Sequence, residues 1–231
     1  MKVIYLNKDK VEINKEEALR YMGYKSKDID VETEKLLEEA IAELKDLAEL
    51  KYVYRIFDIK KDNNNISFEN MINIKSSDLN ELFKNCDKSA VMAATLGFEV
   101  EKKIRYYSLT NLSKAVVFDA CAASYIEGLC DQAEAEIKKI ALEVACNITY
   151  RYSPGYGDVP ISHQSEILTA LNAQKLIGLS VLDSHILVPR KSVTAFIGFT
   201  KVNEIHKKSC LNCNLYGNCS FSKEGENACV K

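Results

Sequence analysis

The sequence predicts an α+β fold: a twisted antiparallel sheet with packed helices, followed by a small cysteine-rich C-terminal segment. Three observations carry this. Extended and helical stretches come in groups, without the strict alternation that builds a parallel sheet. Two strand-like segments near the end, Leu182 to Val188 and Val193 to Phe199, follow one another across the short Pro189-Arg190-Lys191-Ser192 turn, as hairpin partners do. Four of the eight cysteines fall in the closing stretch, among Gly217, Gly225 and several asparagines. The predicted division is a body over residues 1–203 and a tail over 204–231.

Taken in order, Asn14 followed by Glu17 reads as a capping box opening a short helix that Gly23 closes. Leu36, Leu37, Ile41, Leu44 and Leu47 recur at three- and four-residue spacing, with Glu34, Glu38, Glu39, Glu43 and Lys45 between them, so an amphipathic helix spans 31–50. The β-branched and aromatic run Tyr52 to Ile59 is a strand, and Asp62-Asn63-Asn64-Asn65 turns it into Ile66-Ser67-Phe68. Ser77 caps a short helix through Leu82 and Phe83. Ala90 to Gly97 is a buried strand entering a helix, and 98–146 is mostly helical. Within it, Ala120 to Leu129 is small and apolar nearly all round, a central helix in which Glu127 stands out. Ile167, Leu168, Leu171, Ala173, Leu176 and Ile177 form one more amphipathic helix, ended by Gly178.

At 231 residues the chain is long enough to bury a sizeable core. Lys plus Arg total 31 against 33 Asp plus Glu, with a pI of about 6.0, so the electrostatic footprint of a nucleic-acid binder is missing. No stretch has the ~18 apolar residues of a membrane span, and Met1 to Lys10 lacks the apolar run of a signal peptide. The expectation is a cytoplasmic protein with neither a membrane nor a nucleic-acid partner, its cysteines present as thiols or metal ligands.

The most informative segment is Arg151 to Pro160, which holds two of the three prolines and two of the nine glycines. Pro154 fixes φ, while Gly155 and Gly157 permit positive φ or close backbone approach, so Arg151 and Tyr156 are held in defined directions. A guanidinium can fork two hydrogen bonds onto a carboxylate, which suits a carboxylate-bearing ligand. The same residues also read as a surface turn with an ordinary salt bridge.

With Pro154 before the glycine, Arg151-x-x-x-Gly155-Tyr156 resembles the signature of the activation (reactivation) domain of cobalamin-dependent methionine synthase, a domain that binds S-adenosylmethionine. The resemblance is strongest over 85–200, where the helix ending at Gly178, the Pro189-x-x-Ser192-Val193 turn and the Glu127 helix look like family elements. It implies that Arg151 takes the ligand carboxylate, that Gly155 and Tyr156 make main-chain contacts near the adenosyl group, and that Glu127 complements the cationic end. No catalytic side chain is implied, because holding two reactants in line supplies the rate enhancement. The family's ligand-contacting aspartate has no evident counterpart in the N-terminal third. Asp183-x-His185-x-x-Val188 lacks the glycine of the family's corrinoid motif and is read as a chance match, with His185 an ordinary strand residue. Ser192 and Thr194 are read as hydroxyls satisfying local backbone groups.

The implied function is a stand-alone activation subunit, an accessory methyltransferase component in methionine biosynthesis. It would support reductive methylation of cob(II)alamin carried by a partner, either methionine synthase or another corrinoid protein, with a flavoprotein as one source of the electron. The tail spacing Cys210-x2-Cys213-x5-Cys219-x9-Cys229 suits four thiolates around zinc or an iron-sulfur cluster, and a cluster would offer a second electron source. Cys86, Cys121, Cys130 and Cys146 read as small core residues. Two other functions stay open: a non-enzymatic metal-binding protein that docks a partner, and an ordinary methyltransferase, which the missing strand-G-x-G-helix loop disfavours.

Overall fold

The computed structural model describes residues 2–6, 8–24 and 29–202. In chain order these form β1 (Lys2–Tyr5), α1 (Lys15–Tyr21), α2 (Val31–Leu47), β2 (Lys51–Asp62), β3 (Asn65–Phe68), β4 (Ile72–Lys75), α3 (Ser77–Leu82), β5 (Cys86–Thr95), α4 (Phe98–Thr110), α5 (Leu112–Glu143), β6 (Asn147–Ile148), α6 (Gln164–Ala170), α7 (Ala173–Ile177), β7 (Ser180–Val181), β8 (Leu187–Val188) and β9 (Ser192–Thr200). The main sheet runs β4-β3-β2-β5-β9-β6, all antiparallel, with β1 beside the first half of β2.

Alternation along three central strands divides the core between the two faces of this sheet. Tyr52 and Tyr54 of β2, Ala90, Met92 and Ala94 of β5, and Ala195, Ile197 and Phe199 of β9 pack on one side with α1, α2, α4 and α5. Val53, Phe57, Val91, Ala93 and Phe196 point the other way, into a second core with α3, α6 and α7. Because both faces are covered, β5 and β9 read as continuous apolar runs although the sheet is antiparallel.

Local signals explain several ends. Asn14 Oδ1 accepts from Glu17 N at 3.1 Å as expected, but the return arm of the capping box is not made: Asn14 N donates to Ser124 Oγ at 3.0 Å, which ties α1 to α5. Asp30 caps α2 through Thr33 N at 2.9 Å. Asn63 and Asn64 both take positive φ and close the two-residue β2–β3 hairpin. Gly178, at φ 73°, terminates α7.

Four sequence expectations are corrected. Ser76, not Ser77, is the N-cap of α3, its Oγ accepting from Leu79 N at 2.9 Å; the adjacent serines made a one-residue shift invisible. The helix expected over 167–177 is two helices, broken where Asn172 turns left-handed at φ 49°. Leu182 to Val188 does not pair with β9. It forms the turn and second arm of its own small β7–β8 hairpin, and β9 lies between β5 and β6 instead. His185 consequently occupies a turn, at φ 63°, with its amide donating to Leu182 O at 2.8 Å. β1 and β6 carry no legible sequence signal, since both are short and get their register from longer neighbours.

Candidate functional site

Chain after α5 reaches the site by running along the edge of the sheet. Thr149 N donates to Gly198 O at 2.9 Å, and Tyr152 and Phe196 exchange amide hydrogen bonds at 3.0 and 2.8 Å, so residues 147–152 track β9 as an antiparallel edge. Strand alternation then separates two neighbours: Tyr152 enters the core shared with α3 and α6, while Arg151 points to the opposite side, at α5.

There Arg151, 8% exposed, meets three carboxylates on one helix face. Its Nη1 donates to Asp131 Oδ1 and Glu134 Oε2, each at 2.9 Å, and its Nη2 donates to Glu127 Oε2 at 3.1 Å. The acids sit at i, i+4 and i+7, a spacing that stacks them along one stripe of α5. One guanidinium against three acids leaves the cluster an anionic patch at neutral pH. Glu134 is the most enclosed of the three, and burial, opposed by Arg151 and aided by Asp131, raises its pKa above the usual carboxylate value. Tyr21 of α1 lies on the Glu127 side: burial first, then Glu127 and the nearby Tyr156, push its phenol up to about 12.

The loop that follows is pinned to the start of α3. Asp158 accepts from Ser76 Oγ, from Ser77 N at 2.7 Å and from Ser77 Oγ at 2.6 Å. Desolvation by itself would raise the Asp158 pKa, but these donors outweigh it and hold the carboxyl below its ordinary value. In return, Asp78 Oδ2 accepts from Asp158 N at 3.3 Å and from Tyr152 Oη at 3.2 Å. Gly157, at φ 51°, fits between them. A Cβ there would overlap both Asp78 Oδ2 and Tyr152 Oη. Gly155, at φ 91°, would set a Cβ 3.7 Å from the Ile161 side chain, an ordinary contact, and its amide donates to Val159 O at 2.8 Å. Tyr156 projects outward from this frame, 66% exposed.

The structure joins Arg151 to Glu127 at the middle of α5, and it places Gly155 and Tyr156 on the loop that follows Arg151. Sequence reasoning missed Asp131, Glu134 and Tyr21, and the Asp158–Ser76–Ser77 anchor. The i, i+4, i+7 acids were legible, but nothing in the chain ties them to a residue 17–24 positions away. Ser192 Oγ donates to Thr95 Oγ1 at 2.8 Å, and Thr194 Oγ1 to Gln164 Oε1 at 3.5 Å, so these hydroxyls serve other side chains and not the local backbone. Cys86 and Cys121 are buried, which raises both thiols to about 12, and Cys130 is buried likewise; Cys146 is half-buried. Among the described residues no group of His, Cys, Asp and Glu is arranged to hold a metal ion, and no helix is long and apolar enough to cross a membrane. Cys210, Cys213, Cys219 and Cys229 lie outside the described residues.

No protein-family model matches this sequence, and no curated protein matches it. Among solved structures, the chain is similar to the MetH reactivation domain bound to AdoHcy, with a TM-score of 0.64 and 12% identity over 89% of this chain and 80% of that one. The chain therefore has the fold of the MetH reactivation domain.

Proposed function

We propose that this protein binds S-adenosylmethionine at the Arg151–Tyr156 loop and acts as an activation subunit for a corrinoid-carrying methyltransferase. One observation carries the reading: Arg151-x-x-x-Gly155-Tyr156 lies on the sheet-edge loop of a fold shared with a domain whose structure contains AdoHcy, the demethylated product of that donor. In this reading Arg151 receives the ligand carboxylate, Gly155 and Tyr156 bracket the adenosyl group, and Glu127 faces the cationic end. The negative excess around Arg151 suits a sulfonium ligand.

Chemistry here is approximation. Once bound, the donor would supply a sulfonium methyl to the electron pair of reduced cobalt on the partner, with the carbon–sulfur bond breaking and a neutral thioether as leaving group; Arg151, Gly155, Tyr156 and Glu127 would hold that donor in place. The protein's part is to bind, orient and keep water away. The partner is methionine synthase or another corrinoid protein. We further infer that Cys210, Cys213, Cys219 and Cys229 hold zinc or an iron-sulfur cluster, four thiolates being a donor set for either. Visible absorbance of the purified protein separates the two metals.

The triple ion pair on Arg151 also favours a second reading, in which that side chain is structural and the body only docks a partner. Calorimetry with S-adenosylmethionine decides. Saturable binding to the parent protein, lost in Arg151→Lys because lysine cannot fork onto a carboxylate, supports the first; absence of binding supports the second.

A further inference from the structure

Arg151 does not hold its three acids alike. Nη1 is shared between Asp131 and Glu134 at 2.9 Å each, whereas Nη2 has Glu127 alone, at 3.1 Å. Glu134 is the more enclosed of the outer two, with 33% of its side chain exposed against 39% for Glu127. Glu127 also lies one helical turn nearer the α1 side, where Tyr21 feels both it and Tyr156. Nη2 therefore makes the single and longer contact, and Glu127 is the carboxylate bound to Arg151 by one bond to an otherwise unshared amino group. A ligand carboxylate that forks onto this edge meets Glu127 already there, and the repulsion between the two anions favours displacing the one held by a single bond.

We infer that Glu127 is an exchangeable counter-ion: a ligand bearing an α-amino-acid zwitterion displaces it from Arg151 Nη2 with its carboxylate and receives it on its ammonium group, while Asp131 and Glu134 keep Nη1 fixed. This rests on the reading that Arg151 binds the ligand carboxylate. The exchange conserves the number of ion pairs, so no buried charge is left unpaired at either stage. Selectivity follows from the same step. A ligand with a carboxylate and no amine would evict Glu127 and offer it nothing, and an amine without a carboxylate would leave Arg151 and Glu127 joined.

The test uses calorimetry of the full chain and of Glu127→Gln with two probes, S-adenosylhomocysteine and its analogue lacking the α-amino group. The native protein is expected to prefer the amine-bearing probe by about tenfold, the size of one charge-assisted hydrogen bond. Glu127→Gln is expected to weaken that probe and to bind the deaminated one more tightly than the native protein does, because the competing anion has gone. A glutamate that merely touches the ligand amine would predict the loss without the gain. If the deaminated probe binds both proteins equally while Arg151→Lys abolishes binding, the exchange is overturned and the ligand assignment stands. If the native protein binds neither probe, the assignment falls and takes the exchange with it.

Discussion

Replacing Gly157 with alanine tests whether the loop is a fixed frame. The backbone there has φ 51°, which costs an L-residue about 1 kcal/mol. A Cβ would also occupy the space where Asp78 Oδ2 receives Tyr152 Oη and Asp158 N, so these two bonds lengthen or the loop lifts from α3. Hydrogen bonds to a charged acceptor contribute about 1.5–3 kcal/mol when enclosed, and partial exposure brings the pair to about 2 in sum. The expected loss is about 3 kcal/mol, read as a lower urea midpoint at unchanged m-value by circular dichroism. Gly155→Ala is the control. At φ 91° its nearest neighbour is Ile161 at 3.7 Å, an ordinary contact, so only backbone strain of about 1–2 kcal/mol is expected. Because both sites carry strain, the difference between the variants isolates the clash with the anchor. Equal losses would refute the claim that Asp78 and Asp158 hold the loop to α3. On the proposed function, Gly157→Ala also weakens S-adenosylmethionine binding at least about tenfold, since a small loop displacement moves every contact at once.

Three further outcomes follow from the packing of α5. Arg151→Met leaves three acids without their cation, and the protein should lose about 3 kcal/mol at pH 7. Glu134 already has a raised pKa when folded, so protonation favours the fold, and the deficit should shrink as pH falls from 7 towards 4; a deficit constant over that range contradicts the ion-pair account. Glu136 accepts from Tyr52 Oη at 2.6 Å, Tyr54 Oη at 2.9 Å and Lys2 Nζ at 2.6 Å. Burial works to raise its pKa, but these donors outweigh it and lower the value, so its contribution is present above the unfolded carboxylate pKa and lost as pH falls through the folded one. Glu136→Gln should thus cost about 2 kcal/mol at neutral pH and converge with the native curve only once pH has fallen below the ordinary carboxylate range, in pH-dependent urea melts. Gly128→Ala gains about 1 kcal/mol of helix propensity, yet its Cβ would stand 2.9 Å from Glu12 O and 3.0 Å from Val11 Cγ1. Backbone cannot yield as a flexible side chain does, so thermal melts should show net destabilisation.

What could be read in the chain, and what could not, divides by range. Periodicity and capping placed α2, β2 and the helical stretch containing α4 and α5, because those signals are local: Asn14, the Asn63-Asn64 turn and Gly178 each act within four residues of themselves. Strand pairing failed where two rules competed. Leu182 to Val188 and β9 are neighbours in sequence with a short turn between them, which favoured a hairpin, but Val188 pairs with Ser180 and β9 is held on both sides by β5 and β6. A hydroxyl-rich pair such as Ser76-Ser77 has two equally good caps by composition, and only the Leu79 amide chose.

The site was legible in one direction only. Arg151, Gly155 and Tyr156 fall within a single loop and can be seen together; of the acids on α5 that meet Arg151, Glu127 stood out in the apolar run 120–129, whereas Asp131 and Glu134 lie beyond that run and no local signal pairs them with the loop. Helical periodicity explains how α5 serves two different partners from two of its faces. At 100° per residue, Glu127, Asp131 and Glu134 lie within about 60° of one another, while Glu136 is half a turn round from Glu127. One stripe therefore reaches the sheet edge beside β9, and the other reaches the phenols of β2 beneath α5. Rotating the helix to improve either set of ion pairs would break the other, so the two acidic contacts fix its angle jointly. That makes Arg151's position a property of the whole helix packing, and it explains why a loop with so exposed a tip can hold its arginine in one orientation.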